Sequence, residues 1–430
     1  MLKKILEFSC CLEEVKVESA FYQRREGMRN ATKKIKSFLL DSSLALIVLL
    51  AGLLILELLL RRYHFGGARV SWSEPDEEIA YRYTPGAEYW FGRENDHPIS
   101  GRINNFGWRD RDWTLAKAPN TFRIAVLGDS FVEAFQVEPE RTFLRLAEAA
   151  LNRETPQRFE LMNFGRSGFT TTEEFLILDR DVAKFSPDLV VLFFFPENDL
   201  RDVYREFDPN PMRPFFVMSP DSGLAPDFSF VHSKDFKARN AINGLKQHSA
   251  LFSLVIERVN LLQQDLAHQK QVAAAEAAAR AAAPSSAPVA KRLDGALSLA
   301  TANPDSSYQK AFALNQAILK KIGATCRQMP AKFLLVCINL AAYHPELENE
   351  LRAIDPTFNQ YFFEDALAAF ARQNDIDFLG LQRFFVEEYQ KNGRSLQWTH
   401  WNYEGHELVA RLLANHLQKY KANFLSSASL

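Results

Sequence analysis

Between Ser37 and Leu60 the chain runs almost without interruption through apolar residues, reading LALIVLLAGLLILELLL at 44–60. About 24 residues rising 1.5 Å each cover a hydrocarbon core of about 30 Å. The segment therefore reads as a transmembrane helix at 37–60, and whatever follows has to fold outside the bilayer. A buried helix of a soluble core is the competing reading, and a Leu-rich circumference of this length argues against it. Two acids interrupt the run. Asp41 lies near its start. Glu57 lies near its end, one turn before Arg61, where an i,i+4 ion pair lowers the cost of the carboxylate.

Flanking charge sets the expected orientation. Arg24, Arg25, Arg29, Lys33, Lys34 and Lys36 precede the run, opposed only by Glu26. Arg61, Arg62 and Arg69 follow it, and then Glu74, Asp76, Glu77 and Glu78. The positive-inside rule places segment 1–36 in the cytoplasm and the large C-terminal part in the periplasm or at the cell surface. No small-residue cleavage site precedes Arg61–Arg62, so an uncleaved anchor is expected. Met28 opens MRNATKKIKSFLL, which reads like the natural start of such an anchor, whereas the first 27 residues carry no clear pattern.

The rest of the 430 residues suffices for one large α/β domain, and an apolar fraction of 47% supports a sizeable core. A net charge of −2 gives no basis for a nucleic-acid partner. The four cysteines show no metal-ligand spacing, and the nine histidines form no H-E-x-x-H, so neither metal nor other cofactor is expected. Adjacent Cys10 and Cys11 cannot easily close an unstrained disulfide. Cys326 and Cys337 read as buried thiols, with a bridge between them as the alternative.

Residues 61–120 form a connecting region of turn residues and aromatics, including YRYTPGAEYWFGR and INNFGWRDRDW, read as short strands and loops packed on the main domain at 121–425. From Thr121 short apolar runs recur between turn residues: 122–128, 158–165, 188–195, 332–340 and 376–381. Helical patterns lie between most of them. ERTFLRLAEAALNR puts Phe143, Leu146, Ala147 and Leu151 on one face. TTEEFLILDRDVAKF opens with a Thr171–Glu174 capping box and carries a stripe of Phe175, Leu178, Val182 and Phe185. Strands alternating with helices predict a parallel sheet covered on both faces and doubly wound. Residues 200–305 break the alternation as an insertion that is polar, then helical (249–269), then an Ala-rich low-complexity tract (272–290).

Four strand or loop ends carry chemistry. The first strand ends in Gly128-Asp129-Ser130-Phe131, where a Ser can expose its hydroxyl beyond the carboxyl edge of the sheet. The second ends in Asn163-Phe164-Gly165-Arg166-Ser167-Gly168, and the third in Pro196-Glu197-Asn198-Asp199. The N–H groups of Ser130 and Gly168 and the amide of Asn198 are candidate donors to an oxyanion. His400, in Trp398-Thr399-His400-Trp401, precedes a helix and is the candidate base. Each position singly has a bland alternative in turn and cap chemistry. His406 fits a packing or capping role, and Arg166 and Trp401 are candidates to line the cleft.

Taken together, in chain order, these blocks resemble the SGNH (GDSL-type) hydrolase family, in a membrane-anchored bacterial branch. GDSF (128–131), NFGRSGFTT (163–171), PENDLRD (196–202) and HWNYEGHELVA (400–410) are similar to its Ser, Gly, Asn and His blocks, and the likeness covers about residues 78–415 outside the insertion. The resemblance implies a three-layer α/β, flavodoxin-like fold with a five-stranded parallel sheet in the order 2-1-3-4-5. It also implies catalytic Ser130 and His400, with an oxyanion hole of Ser130, Gly168 and Asn198. Two departures stand out. Pro196 replaces the usual Gly before Asn198, and the Asp usually found two or three residues before the His is absent, those positions being Trp398 and Gln397. A backbone carbonyl near Gln397 or a distant acid is then left to orient His400. The implied activity is hydrolysis of an ester through an acyl-Ser intermediate, with O-acetyl groups on a cell-envelope glycan as the substrate suggested by analogy. The alternatives are a catalytically weak or inactive glycan-binding protein and an acetyltransferase acting on an envelope glycan. The oligomeric state stays open.

Overall fold

The computed structural model describes residues 2–63, 73–92, 94–153, 157–207, 212–219, 223–256, 258, 259, 262, 266, 295–340 and 345–427. The Ala-rich tract at 272–290 lies outside the described residues. The chain divides into two compact units, one formed by the N-terminal helix region with 249–255, the other by the remainder.

The first unit is built on one long helix, α1 (Leu2–Tyr63). Within it Met28–Arg62 is long and apolar enough to cross a membrane by length and composition. The expected Glu57–Arg61 pair forms, with Nε donating to Oε1 over 2.6 Å. Glu57 also accepts bonds from the Ser249 hydroxyl (3.0 Å) and from the backbone N–H groups of Ala250 (2.8 Å) and Leu251 (2.9 Å). It thereby caps the helical stretch at 250–256.

In the second unit a five-stranded parallel sheet runs in the order β11-β10-β7-β5-β6, which is the expected 2-1-3-4-5 read from its other edge. The strands are β5 (Thr121–Gly128), β6 (Arg158–Gly165), β7 (Leu189–Phe194), β10 (Lys332–Cys337) and β11 (Asp377–Gly380). Their apolar runs are nearly continuous because both faces are covered. One core layer takes Ala125, Leu127, Val190, Leu192 and Leu335 against the helix Ser306–Gln328 and its neighbours. The opposite layer takes Ile124, Val126, Val191, Phe193 and Val336 against the helices Phe143–Asn152 and Tyr403–Ser427. Cys326 and Cys337 are free, buried thiols.

The helix after β6 departs from expectation at its cap. Thr170, not Thr171, is the N-cap, with extended φ −123° and ψ 176°, and Glu173 completes the capping box. The chain leaves the Arg166–Phe169 turn straight into the helix. Thr171 therefore already points inward, its hydroxyl donating to Asn315 over 2.6 Å, and Glu174 is buried.

The connecting region folds as two antiparallel pairs, β1 (Ser73–Asp76) with β2 (Ala80–Tyr83), and β3 (Glu88–Phe91) with β4 (Ile99–Arg102). The stretch after β4 acts as a strap. Asn104 Oδ1 accepts the N–H groups of Phe106 and Trp108, and Asp110 accepts that of Asn163 in β6 over 2.7 Å. Buried Arg109 donates to the carbonyls of Glu133 (2.9 Å) and Val137 (2.6 Å), fastening the segment just after Ser130. In the insertion, β8 (Phe215–Ser219) pairs with β9 (Gly223–Asp227) before the helix Lys234–His248.

Candidate active site

Ser130 opens the short helix α2 (Ser130–Glu133) directly beyond β5. Asp129 caps that helix by accepting the Phe131 N–H over 2.9 Å. As the first helical residue, Ser130 has no intrahelical acceptor for its own N–H. The end of β6 lies against α2 so closely that a Cβ on Gly165 would fall 2.6 Å from both Glu133 N and Val132 Cβ. Only glycine fits there.

His400 comes from the loop before the C-terminal helix, and its Nε2 lies 2.8 Å from Ser130 Oγ. The loop is pinned by Trp401, whose fully buried indole donates to Asn339 Oδ1 over 2.9 Å. Trp401 is thus core and does not line the cleft. Arg166 is buried as well: it donates to the carbonyls of Tyr81 (3.0 Å) and Gly107 (2.9 Å) and lies 4.3 Å from the Trp108 ring centroid. Both residues direct donors to partners inside the protein, which draws them away from the surface, although the buried Nε of Arg166 has no hydrogen-bond partner among the described residues. His406 is buried too, stacked on Phe143, whose N–H its Nδ1 accepts over 3.2 Å.

The carboxylate that meets His400, which sequence reasoning missed, belongs to Glu94. It sits in the turn between β3 and β4 at φ +70°, and its carboxylate accepts from His400 Nδ1 (2.9 Å) and from the His400 backbone N–H (2.9 Å). The carbonyl of Gln397 does not fill that role, since it accepts the Ser395 hydroxyl. The turn is fixed to the main domain beside the site. Asn95 donates to the Gln136 carbonyl (3.0 Å) and the Tyr403 hydroxyl (2.8 Å), and His97 meets Glu138 over 3.0 Å. The one signal in the sequence was the polar tip RENDHP between two short aromatic-bearing strands, read against the missing acid beside His400.

Gly168 and Asn198 lie at the ends of the two strands flanking β5. Arg166 to Phe169 close a turn by a 3.0 Å bond, and Gly168 occupies its third position at φ +79°, where a side chain is strained. The Tyr81 hydroxyl donates to the Ser167 carbonyl over 2.6 Å. Carbonyl and N–H point in opposite directions across a trans peptide, so this bond also sets the direction of the Gly168 N–H. Glu133 holds the same turn from below, accepting the Ser167 N–H (2.8 Å) and hydroxyl while Tyr83 donates to its other oxygen (2.6 Å). Asn198 lies in the helix Pro196–Asp202, where Pro196 occupies the first turn at no cost in hydrogen bonds. One N–H of its amide donates to Asp129 Oδ2 over 2.6 Å, which leaves the second for a ligand.

Electrostatics favour a charged His400–Glu94 pair. Burial opposes the imidazolium, but the Glu94 hydrogen bond and charge outweigh it and hold the His400 pKa above 6.5. Burial likewise raises the Glu94 pKa, and the bonds from His400 more than reverse this, leaving it below 4.5. Asp129 is pushed up to about 6 by burial, against the bonds from Phe131 and Asn198. Burial and neighbouring carboxylates push Glu174 and Asp199 well above the usual range, favouring their neutral forms.

No family model matches the chain, and no curated protein sequence matches it. Solved structures do. A lipolytic protein of the G-D-S-L family from Desulfitobacterium hafniense is 10% identical, with 69% of this chain and 99% of that one covered at a TM-score of 0.32. The likeness is to GDSL-type hydrolases. An acetylxylan esterase from Geobacillus stearothermophilus is 11% identical (71% and 96% covered, TM-score 0.35). A GDSL-like lipase from Bacteroides thetaiotaomicron is 12% identical (72% and 93% covered, TM-score 0.32). At such identities the roles of individual residues rest on the geometry of this chain.

Proposed function

We propose that the chain is a serine esterase of the GDSL type with a Ser130–His400–Glu94 triad. The observation that carries this is the unbroken line from Ser130 Oγ to His400 Nε2 (2.8 Å) and from His400 Nδ1 to Glu94 (2.9 Å), placed beyond the carboxyl edge of a parallel sheet. His400 accepts the Ser130 hydroxyl proton as Oγ bonds to the ester carbonyl carbon, and Glu94 stabilises the imidazolium. The N–H groups of Ser130 and Gly168 and the Asn198 amide receive the tetrahedral oxyanion. His400 returns the proton to the departing alkoxide. Water then releases the acid by the same steps in reverse, with His400 as its base.

The apolar span of α1 and the basic residues before it support an anchor with a cytoplasmic N-terminus and the catalytic domain on the far side. An envelope substrate follows from that placement, and O-acetyl groups on a glycan are the substrate class. The test is hydrolysis of p-nitrophenyl acetate by the full chain in detergent beside Ser130→Ala and His400→Ala. Loss of orders of magnitude in both variants supports the reading; a parent no faster than Ser130→Ala rejects it.

A further inference from the structure

Gly168 is exposed, sits at φ +79°, and a Cβ built on it would meet nothing within 4 Å. Its own packing therefore cannot fix where its N–H points, and glycine is the residue with the most freedom to turn away. The turn is held instead at three consecutive peptide planes, each by a side chain from a different part of the chain. Glu133 in α2 accepts the Ser167 N–H over 2.8 Å, and Tyr81 in β2 donates to the Ser167 carbonyl over 2.6 Å. The third holder is Arg213 of the insertion, whose Nη2 donates to the Gly168 carbonyl over 2.6 Å.

Arg213 is fixed for that contact. It is 7% exposed. Its Nε and Nη2 both donate to Glu173 Oε1, over 3.0 and 2.8 Å. The other Glu173 oxygen accepts the N–H and the hydroxyl of Thr170, the N-cap of the helix Thr171–Ile177. Nη1 lies 3.9 Å from Asp202, the last residue of the helix that carries Asn198. Just beyond Arg213, Phe215 and Phe216 of β8 are buried, and Phe216 packs edge-on against Phe175 of the helix Thr171–Ile177 at 5.4 Å. A buried ion pair adds little net stability, because desolvation offsets the attraction. What this one supplies is direction. Of the two Nη2 hydrogens one goes to Glu173, and the planar guanidinium leaves the other a single course, to the Gly168 carbonyl.

We propose that Arg213 is a positioning residue through which the insertion sets the oxyanion donor at Gly168. The inference rests on the esterase reading above and goes beyond it by giving the insertion a part in the reaction. With the Ser167 and Gly168 carbonyls both held, the peptide planes on either side of the Gly168 α-carbon are fixed, and with them its φ and ψ. The N–H then stands in place before charge develops on the substrate oxygen, with no reorganisation left to make. Freed at its carbonyl, Gly168 regains its backbone freedom and presents the donor for only part of the time. The loss falls on the transition state, which carries the charge, and spares the ground-state ester.

The experiment uses the full chain in detergent. Truncating Arg213 alone would leave the Glu173 carboxylate buried without its cation, so Arg213→Met is combined with Glu173→Gln, whose amide oxygen still accepts from Thr170. Arg213→Lys is made beside it. On p-nitrophenyl acetate the double variant is expected to lose about tenfold in kcat with KM within about twofold of the parent. Arg213→Lys, which keeps the charge but not the planar fork, should lose about threefold. The acid limb of kcat/KM should keep the parent's midpoint, since the His400–Glu94 pair is untouched. An unchanged kcat in the double variant overturns the proposal, whatever its melting temperature, and leaves Arg213 a structural ion pair. A raised KM at constant kcat overturns it too, by assigning Arg213 to substrate binding. If the parent cleaves no ester, the esterase reading fails on its own account, and the hold on the turn is read by amide hydrogen exchange. Faster exchange at Ser167 and Phe169 in the double variant, with β5 unchanged, supports that hold; unchanged exchange at both overturns it.

Discussion

Glu94 and His400 are 306 residues apart in the chain and 2.9 Å apart in space. The carboxylate holds His400 by its ring Nδ1 and by its backbone N–H, so both tautomer and loop position depend on it. Glu94→Gln keeps the shape and removes the charge. Loss of a triad acid in a serine protease costs about 10⁴ in kcat, and a reduction of about 10²–10⁴ is expected here. Steady-state kinetics on p-nitrophenyl acetate measure it, and an unaffected kcat would mean that Glu94 only braces the loop.

The pH profile gives a second, independent reading of that pair. As the proposed base, His400 acts only when neutral, and its pKa is held above 6.5. Activity should therefore climb with rising pH through a midpoint above 6.5. In Glu94→Gln the imidazolium loses its stabilising charge, its pKa falls, and the acid limb of kcat/KM moves to lower pH even as the plateau drops. An acid limb that stays in place places the titration elsewhere.

Tyr81 sets the direction of the Gly168 N–H, one of the proposed oxyanion donors, by holding the Ser167 carbonyl at 2.6 Å. Tyr81→Phe removes one hydrogen bond of about 1 kcal/mol and lets the Ser167–Gly168 peptide rotate. Expected is a kcat lower by about fivefold with KM nearly unchanged, because the lost alignment matters in the transition state. A rise in KM at constant kcat would instead place Tyr81 in substrate binding.

The parallel sheet and the ends of its strands were legible because each strand is a short, nearly continuous apolar run followed closely by Gly, Pro or Asn, a pattern set by local steric and burial rules. The capping box slipped by one residue, from Thr171 to Thr170, since the turn before it fixes where the helix starts and two adjacent threonines followed by two glutamates fit either register. Trp401 and Arg166, candidates to line the cleft from the sequence, are buried because their side chains bond inside the protein. Glu94 was beyond reach for a stronger reason. Its role depends on a hairpin that brings a turn to a loop at the other end of the chain, and no periodicity or spacing encodes that contact. The absence of a carboxylate beside His400, read with the polar tip RENDHP, was the one hint that a distant carboxylate meets it.

Asn198 is oriented by Asp129, the residue that precedes Ser130. With one N–H spent on Asp129 at 2.6 Å, the amide is fixed and its second N–H is free to meet an oxyanion. Removal of one such donor costs about 10²–10³ in kcat elsewhere, and Asn198→Ala should fall in that range with little change in KM. A loss much below tenfold would leave the two backbone N–H groups as the working oxyanion site.

Glu57 does more than neutralise Arg61. Its carboxylate is the acceptor for the Ser249 hydroxyl and for the first two N–H groups of the stretch at 250–256, a side chain on α1 serving as the cap of another helix. A lost N-cap costs about 0.5–2 kcal/mol, which is about 2–30-fold in local opening. In Glu57→Ala, amide exchange at Ala250 and Leu251 should accelerate by that factor in the full chain in detergent. Exchange in β5 and β7 should be unchanged, because no atom of Glu57 bonds to them. Faster exchange at 250 and 251 alone would establish that α1 organises the start of this stretch. Unchanged exchange there would show that the stretch holds its own end, with Glu57 satisfied by Arg61.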